Sequence, residues 1–249
     1  IVIEMKKSDF LGVLSAFLIT CNATAAVVET PEGLSIGDQF RIVFVTSTTT
    51  TASNTNISYY DQFVSDAASN AGLTSYDGNN ISWNVLGSTW NSGDAINTIS
   101  PSSPALYRLD GELIATGGSD LWDGTIANPI NVSENSSIVT DYVWTGSNEF
   151  GIRPNNASRR FTLGSSSTTN FAYSGYSGST DSGWTRPMGQ SSQNYQLRHL
   201  YGISSIMTVT SLSEVPVPAA SVPVLIAEIV KLTEPSLSLS VSGYKNPSR

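Results

Sequence analysis

Four carboxylates, Asp110, Glu112, Asp120 and Asp123, lie close together in the sequence around glycine-containing turns. Hard oxygen ligands in such loops suit calcium, which takes roughly six to eight of them. Asp120-Leu-Trp-Asp-Gly, however, lacks the alternating acidic ligands of an EF-hand loop. Aspartate is also a turn former in its own right, because its side chain accepts from backbone N–H groups just downstream. Asp110, Asp120 and Asp123 are therefore calcium candidates weighed against a plain role in turns and caps. Two carboxylates could instead hydrolyse a glycosidic bond, if the fold sets them about 5–10 Å apart. Asp110, Asp120, Asp123 and Glu149 are the residues open to that alternative, a secreted carbohydrate-active enzyme.

Other chemistry is thin. A Ser-His-Asp triad would have to use His199, the only histidine, and no Gly-x-Ser-x-Gly elbow accompanies it. Between Arg198 and Leu200, His199 reads as structural. One histidine and one cysteine, Cys21, leave no ordinary zinc set. The expectation is a protein that is not an enzyme. Tryptophans can stack on sugar rings when exposed, but each also buries a large area in a core. Trp122 and Trp144 read as core, the commoner use of so large a side chain. Trp90 is followed by Asn91, Ser92 and Gly93, so Trp90 and Asn91 are the ligand-binding candidates.

Charge narrows the partners. Charged residues make up 13% of the chain against 39% hydrophobic ones, and the formal net charge is −8. Lysine is absent between Lys7 and Lys231, and the arginines lie singly except for Arg159–Arg160. No basic stripe exists to neutralise phosphates, which argues against nucleic acid. An acidic surface would also be repelled by anionic lipid heads. Ser, Thr, Asn and Gly fill the deficit of charge and favour strands and long polar loops over amphipathic helices. Five Trp, ten Tyr and eight Phe supply the bulk for a core, where disordered chains are poor in these types.

The ends read as processing segments. Met5-Lys6-Lys7, the apolar run Phe10–Ile19 and Ala23-Thr24-Ala25 have the n-region, h-region and small-residue cleavage site of a secretory signal. That assigns 1–25 to a signal region and the chain to a secreted or cell-surface destination. Glu214-Val-Pro-Val-Pro-Ala-Ala ends the globular part, since two prolines fix φ and remove donors. The domain is expected over 26–213, with a linker and degenerate or frameshifted tail over 214–249.

The elements that must position any site follow from periodicity. Phe40–Thr46 is β-branched and aromatic and predicts a buried strand; Ser204–Val209 predicts another. Tyr60, Phe63, Val64, Ala67 and Ala71 recur at three- and four-residue steps and predict one helix over Tyr59–Ala71. Ser58 with Asp61 resembles a capping box at its start, and Gly72 supplies its stop. Between Ile81 and Tyr201 the apolar runs are short: 81–86, 105–109, 113–115, 141–145 and 161–163. Asp110-Gly111 between two of them signals a hairpin.

These runs also carry a resemblance. Ile36-Gly-Asp-Gln-Phe-Arg-Ile-Val-Phe-Val-Thr-Ser, Leu106-Tyr-Arg-Leu-Asp-Gly, Asp120-Leu-Trp-Asp-Gly, Val143-Trp-Thr-Gly and Leu200-Tyr-Gly-Ile-Ser-Ser resemble exported bacterial proteins with a PEP-CTERM sorting tail. The order of an aromatic helix, Tyr-x-x-Asp-Gly, Val-Trp-Thr-Gly and a terminal strand also resembles the endostatin branch of the C-type-lectin-like fold. The resemblance implies an α+β, loop-rich domain with paired N- and C-terminal strands and one main helix. It implies an extracellular-matrix or surface role, with exopolysaccharide as a partner. Val215-Pro-Val-Pro-Ala-Ala resembles the opening of the sorting tail, which implies exosortase processing where that tail is intact. Here the apolar run that follows is short and charged, and no arginine-rich end closes it. Arg153-Pro154-Asn155 and Trp90-Asn91-Ser92 lack the acids of a calcium-dependent sugar site. A third reading, a β-sandwich adhesin module, differs in having no Tyr59–Ala71 helix.

Overall fold

A strand buried on both faces is apolar on both, and the run from Phe40 to Val45 is built that way apart from Arg41, which is buried and donates from Nη1 to Thr98 O at 2.8 Å. The computed structural model describes residues 28–91, 93–154, 161–165, 170–186 and 191–211. The leader with Cys21, together with Ser92, Asn155, Arg159–Arg160, Ser166–Thr169 and the tail from Glu214, lies outside them. In chain order the elements are β1 (Gln39–Val45), α1 (Ile57–Asn70), β2 (Ser75–Tyr76), β3 (Asn79–Asn80), β4 (Trp83–Val85), β5 (Ala105–Arg108) and β6 (Leu113–Ala115). There follow α2 (Gly118–Leu121), β7 (Tyr142–Trp144), β8 (Phe171–Tyr176), β9 (Ser191–Gln193), β10 (His199–Ser204) and β11 (Met207–Thr208). The chain divides into two units, Ile1–Thr210 and Ser211–Arg249, and all these elements belong to the first.

Among the described residues the main sheet runs β6-β5-β1-β10-β7-β8-β9, with β4 also on β10 and β11 also on β1. The first strand, β1, runs antiparallel to β10 near the end of the domain: Val43 faces Ile203, Phe44 faces Gly202 and Val45 faces Tyr201. This is the pairing expected for the segments near 40 and 206. The final segment is not one strand over Ser204–Val209, however. Ser204 Oγ accepts the Ile42 N–H at 2.9 Å, interrupting the ladder. Beyond it the pairing resumes one residue out of step, with Phe40 opposite Met207. An extra residue of this kind is a bulge, which lets one segment serve two neighbours: Ser205 N–H donates to Ser82 O at 2.7 Å, beside β4.

Side-chain alternation sorts β1 and β10 into two cores. Phe40, Ile42, Phe44 and Leu200 join the cluster under α1. Val43, Val45, Tyr201 and Ile203 join a second cluster with Leu121, Trp122 and Trp184 on the opposite face. The first cluster fixes α1, whose Tyr60, Val64 and Ala68 are buried while Phe63, Ala67 and Ala71 pack at its flanks. Gly202 permits the close approach, since a Cβ there would lie 2.6 Å from Val64 Cγ1 and 2.7 Å from Phe44 Cζ.

The helix differs from expectation at its start. It begins at Ile57, with Asn56 as its cap: Asn56 Oδ1 accepts from Ser58 N–H at 3.1 Å and from Ser58 Oγ at 2.6 Å. Asp61 makes no capping box. Its Oδ1 accepts the Val85 N–H at 2.8 Å, joining α1 to β4. The presence of α1 removes the β-sandwich reading, and the protein is a mixed α+β structure, mostly sheet with one main helix.

The hairpin at Asp110-Gly111 joins β5 to β6, with Gly111 at φ +87°. Residues 161–163 form no strand; Phe161 and Leu163 make single bridges to Ala172 and Thr89. The strand that follows is β8, Phe171-Ala-Tyr-Ser-Gly-Tyr, which pairs with β7 and β9 and whose Ala, Ser and Gly are too small to signal a strand.

Candidate functional site

Alternation along β7 points Tyr142 and Trp144 to one face and Val143 to the other. Trp144 is fully buried, and its Nε1–H donates to Thr50 O at 3.0 Å. The chain entering β10 pairs with the same loop, as Thr50 and Arg198 exchange backbone hydrogen bonds of 2.9 and 3.0 Å. That pairing carries the Arg198 guanidinium over both rings, 4.4 Å from the Tyr142 centroid and 5.1 Å from that of Trp144. Attraction between a cation and the negative face of a ring holds this stack together. Arg198 Nη2 donates to Ser192 Oγ at 2.6 Å and to Gln196 Oε1 at 3.0 Å. Its Nε is buried without an acceptor.

One further ring, that of Tyr176, packs against the stack. The Tyr176 ring meets Tyr142 edge-on at 5.6 Å, and Tyr59 reaches the loop through Thr50 Oγ1 at 2.9 Å. Tyr195 lies in the turn after β9, its hydroxyl bonded to Gln193. Tyr142, Tyr59 and Tyr195 are 38, 42 and 62% exposed, and Leu197 is 67% exposed. Apolar bodies with polar tips held near water are suited to contact and weak to exclude. The arrangement leaves part of the Tyr142 ring at the surface with a cation held over it.

Electrostatics at the site are set by burial. Loss of water pulls the Arg198 guanidinium below its ordinary pKa, and the nearby Tyr142 and Asp141 oppose that. Asp141 Oδ2 lies 4.0 Å from His199 Nε2, while His199 Nδ1 is 2.6 Å from Thr46 O. His199 is thus tied to the backbone of the loop after β1, as its place at the start of β10 suggested.

The aspartates singled out above are engaged locally. Asp110 forms a two-pronged ion pair with Arg108, at 2.7 Å to Nε and 2.6 Å to Nη2. The Arg108 hydrogen bonds hold the Asp110 carboxyl below the usual carboxylate range. Asp120 Oδ2 accepts from the Thr116 N–H and hydroxyl at 2.7 and 2.9 Å. Asp123 Oδ1 accepts from the N–H and hydroxyl of Thr125 at 2.9 and 3.0 Å. Asp110 also lines a cleft of about 440 Å³ with Glu29, Glu32 and Glu112, a set that includes neither Asp120 nor Asp123. Among the described residues no three His, Cys, Asp or Glu side chains converge closely enough to hold a metal ion. Glu149 lies half-buried in the turn that Asn148 closes by accepting from Phe150 and Ile152 N–H.

Trp83, Trp122, Trp144 and Trp184 are all buried, whereas Trp90 is half-buried and Asn91 exposed. Trp90 N–H donates to Leu163 O at 3.0 Å, and its carbonyl accepts from Arg153 Nη1 at 3.5 Å. Sequence reasoning did not select Tyr142 or Arg198. The one available signal was the alternation in Tyr142-Val-Trp144, which puts an exposed aromatic beside a buried one. It also passed over Glu134, which is 3% exposed and accepts from Ser47 N–H at 2.8 Å, from the Ser47 hydroxyl and from Asn135. That carboxylate pins the loop after β1 to the turn at 133–136.

The fold and site define an α+β protein in which one arginine lies over the partly exposed Tyr142 and the buried Trp144. No protein-family model matches the chain, and no curated protein sequence matches it significantly.

Proposed function

We propose that this chain is an exported bacterial surface or extracellular-matrix protein whose domain binds polysaccharide weakly and without catalysis. The observation that carries the reading is the Tyr142–Arg198 face, in which one guanidinium lies over the partly exposed Tyr142 and the buried Trp144. Sugar rings present C–H faces to such surfaces and hydroxyls to the polar groups at their rim. A C-type-lectin-like, endostatin-like fold is the finer architecture we favour. The antiparallel β1–β10 pair closing a loop-rich body, with α1 packed on it, supports that choice. Export rests on the leader over 1–25, and exosortase sorting on the Val215-Pro-Val-Pro opening of the tail.

A glycan array paired with a hydrolysis screen on the purified protein tests this. Binding that Tyr142→Ala weakens at least several-fold, with no turnover, is the expected result. Turnover abolished by Asp110→Asn, Asp120→Asn or Asp123→Asn would overturn it in favour of a carbohydrate-active enzyme. Binding lost in Trp90→Ala but kept in Tyr142→Ala would move the site to Trp90 and Asn91.

A further inference from the structure

The bulge at Ser204–Ser205 opens the sheet on one side. Up to Ser204 the chain pairs with β4, with Ser204 opposite Trp83; beyond it Met207 and Thr208 move onto β1. The segment leading into β4 belongs instead to the β2–β3 hairpin. Two hydrogen bonds hold the fork, from Ser205 N–H to Ser82 O at 2.7 Å and from Ser82 N–H to Ser205 Oγ at 3.2 Å. At the far end the Thr210 hydroxyl donates to Asp77 Oδ2 in the hairpin turn. Between these two closures lies a groove of about 160 Å³. One wall is fixed from behind: Tyr76 is buried, its ring edge-on to Phe40 at 5.2 Å and its hydroxyl 2.7 Å from Thr30 Oγ1.

The lining selects the ligand. None of the residues around the groove carries a charge, in contrast to the cleft of Glu29, Glu32 and Glu112. Met207 is buried and Ile81 half-buried, which supplies apolar surface, while Asn79, Asn80 and Thr208 bring exposed polar side chains to the same groove. The Asn80 amide and the Thr208 hydroxyl make no hydrogen bond to another described residue. The backbone adds to them. Ile81 N–H donates to Thr74 O at 2.9 Å on one edge of its segment, and Ser82 N–H turns to Ser205 on the other. Neighbouring residues of a strand face opposite edges, so Asn80 presents its N–H and C=O on the Ser205 side. Donors and acceptors beside apolar surface, with no charge, suit a molecule with adjacent hydroxyls and a C–H face. Size and closure decide the rest. The groove falls well below the roughly 300 Å³ at which drug-sized pockets begin, and a strand added along β11 would need open ends. We propose that the groove between the β2–β3 hairpin and β11 binds one uncharged hexopyranose, as a terminal or branching unit rather than a unit inside a chain. It shares no residue with the Tyr142–Arg198 face and goes beyond the reading given for that face.

The test is titration of the whole isotope-labelled protein with methyl glucoside, methyl galactoside and methyl mannoside, followed through its backbone amide NMR shifts. A single ring in so small a groove should reach a Kd of about 1–10 mM. At least one glycoside is expected to shift the Asn79, Asn80 and Thr208 amides at that concentration. Asn80→Ala and Thr208→Val, each at an exposed position with no side-chain partner to lose, should weaken this binding at least threefold and leave the melting temperature unchanged. Galacturonate, a charged ring, and N-acetylglycinamide, an uncharged amide, should leave the same amides unshifted. Equal binding of galacturonate would overturn the restriction to uncharged rings, and equal binding of N-acetylglycinamide would overturn the sugar. Shifts confined to the strands of the Tyr142–Arg198 face, or groove shifts unaltered in both variants, would overturn the groove as the site and leave the proposed function standing. No shift with any glycoside would overturn the proposal outright.

Discussion

Replacing Gly202 with alanine places one methyl group where α1, β1 and β10 meet. The new Cβ would lie 2.6 Å from Val64 Cγ1, 2.7 Å from Phe44 Cζ and 2.8 Å from Phe44 Cε1. All three are side-chain atoms in a fully buried layer, so the neighbours must shift within a core that has little slack. Overpacking of this kind costs about 1–3 kcal/mol. In a domain of this size that lowers the melting temperature by about 3–10 °C. Val64→Ala alone removes buried methyl surface and leaves a cavity, at about 2 kcal/mol. The two changes should not add. Val64→Ala deletes the Cγ1 atom that Gly202→Ala collides with, so the double variant should be more stable than additivity predicts by about 1 kcal/mol or more. Urea melts of the four proteins in the cycle, with fluorescence of the buried tryptophans as the probe, measure this coupling. Additivity within about 0.5 kcal/mol would show that the helix does not rest on the closing strand pair at this point, and would refute the packing account.

Burial raises the Asp61 carboxyl above its ordinary value near 3.8, partly offset by the hydrogen bond it accepts from Val85. A raised value in the folded state means that its contribution to stability is fully present below the unfolded pKa and is lost as pH rises through the folded one. Asp61→Asn keeps an oxygen for Val85 N–H without the charge, so it should raise the urea midpoint at pH 7 and not at pH 3; an equal change at both values would contradict the desolvation argument. Since Asp110, Asp120 and Asp123 are occupied by Arg108, Thr116 and Thr125, about 1 mM calcium should leave the melting temperature unchanged, at a concentration where weak extracellular calcium sites fill. A rise that Asp120→Asn abolishes would restore the calcium site.

Much of the frame was legible along the chain because its causes are local. A run of β-branched and aromatic residues from Phe40 to Val45 has one stable use, as a strand buried on both faces, and the 3- and 4-residue spacing of Tyr60, Val64 and Ala67 has one use, as a helix face. Asp110-Gly111 supplied a turn whose positive φ needs no partner elsewhere. The helix start was misjudged because Asn56, Ser58 and Asp61 are all competent caps. Only the position of Val85 decided that Asp61 would serve β4 instead. In the same way, β8 escaped notice because its strand character comes from its neighbours β7 and β9 rather than from its own small residues.

The aromatic face belongs to the tertiary structure. Tyr142 and Arg198 are separated by more than fifty residues, and nothing in either segment announces the other. They meet because β7 lies parallel to β10, with His199 opposite Val143 and Leu200 opposite Trp144. Sequence determined which residues carried rings and charge. The register of two distant strands decided that one cation would come to rest on two of those rings.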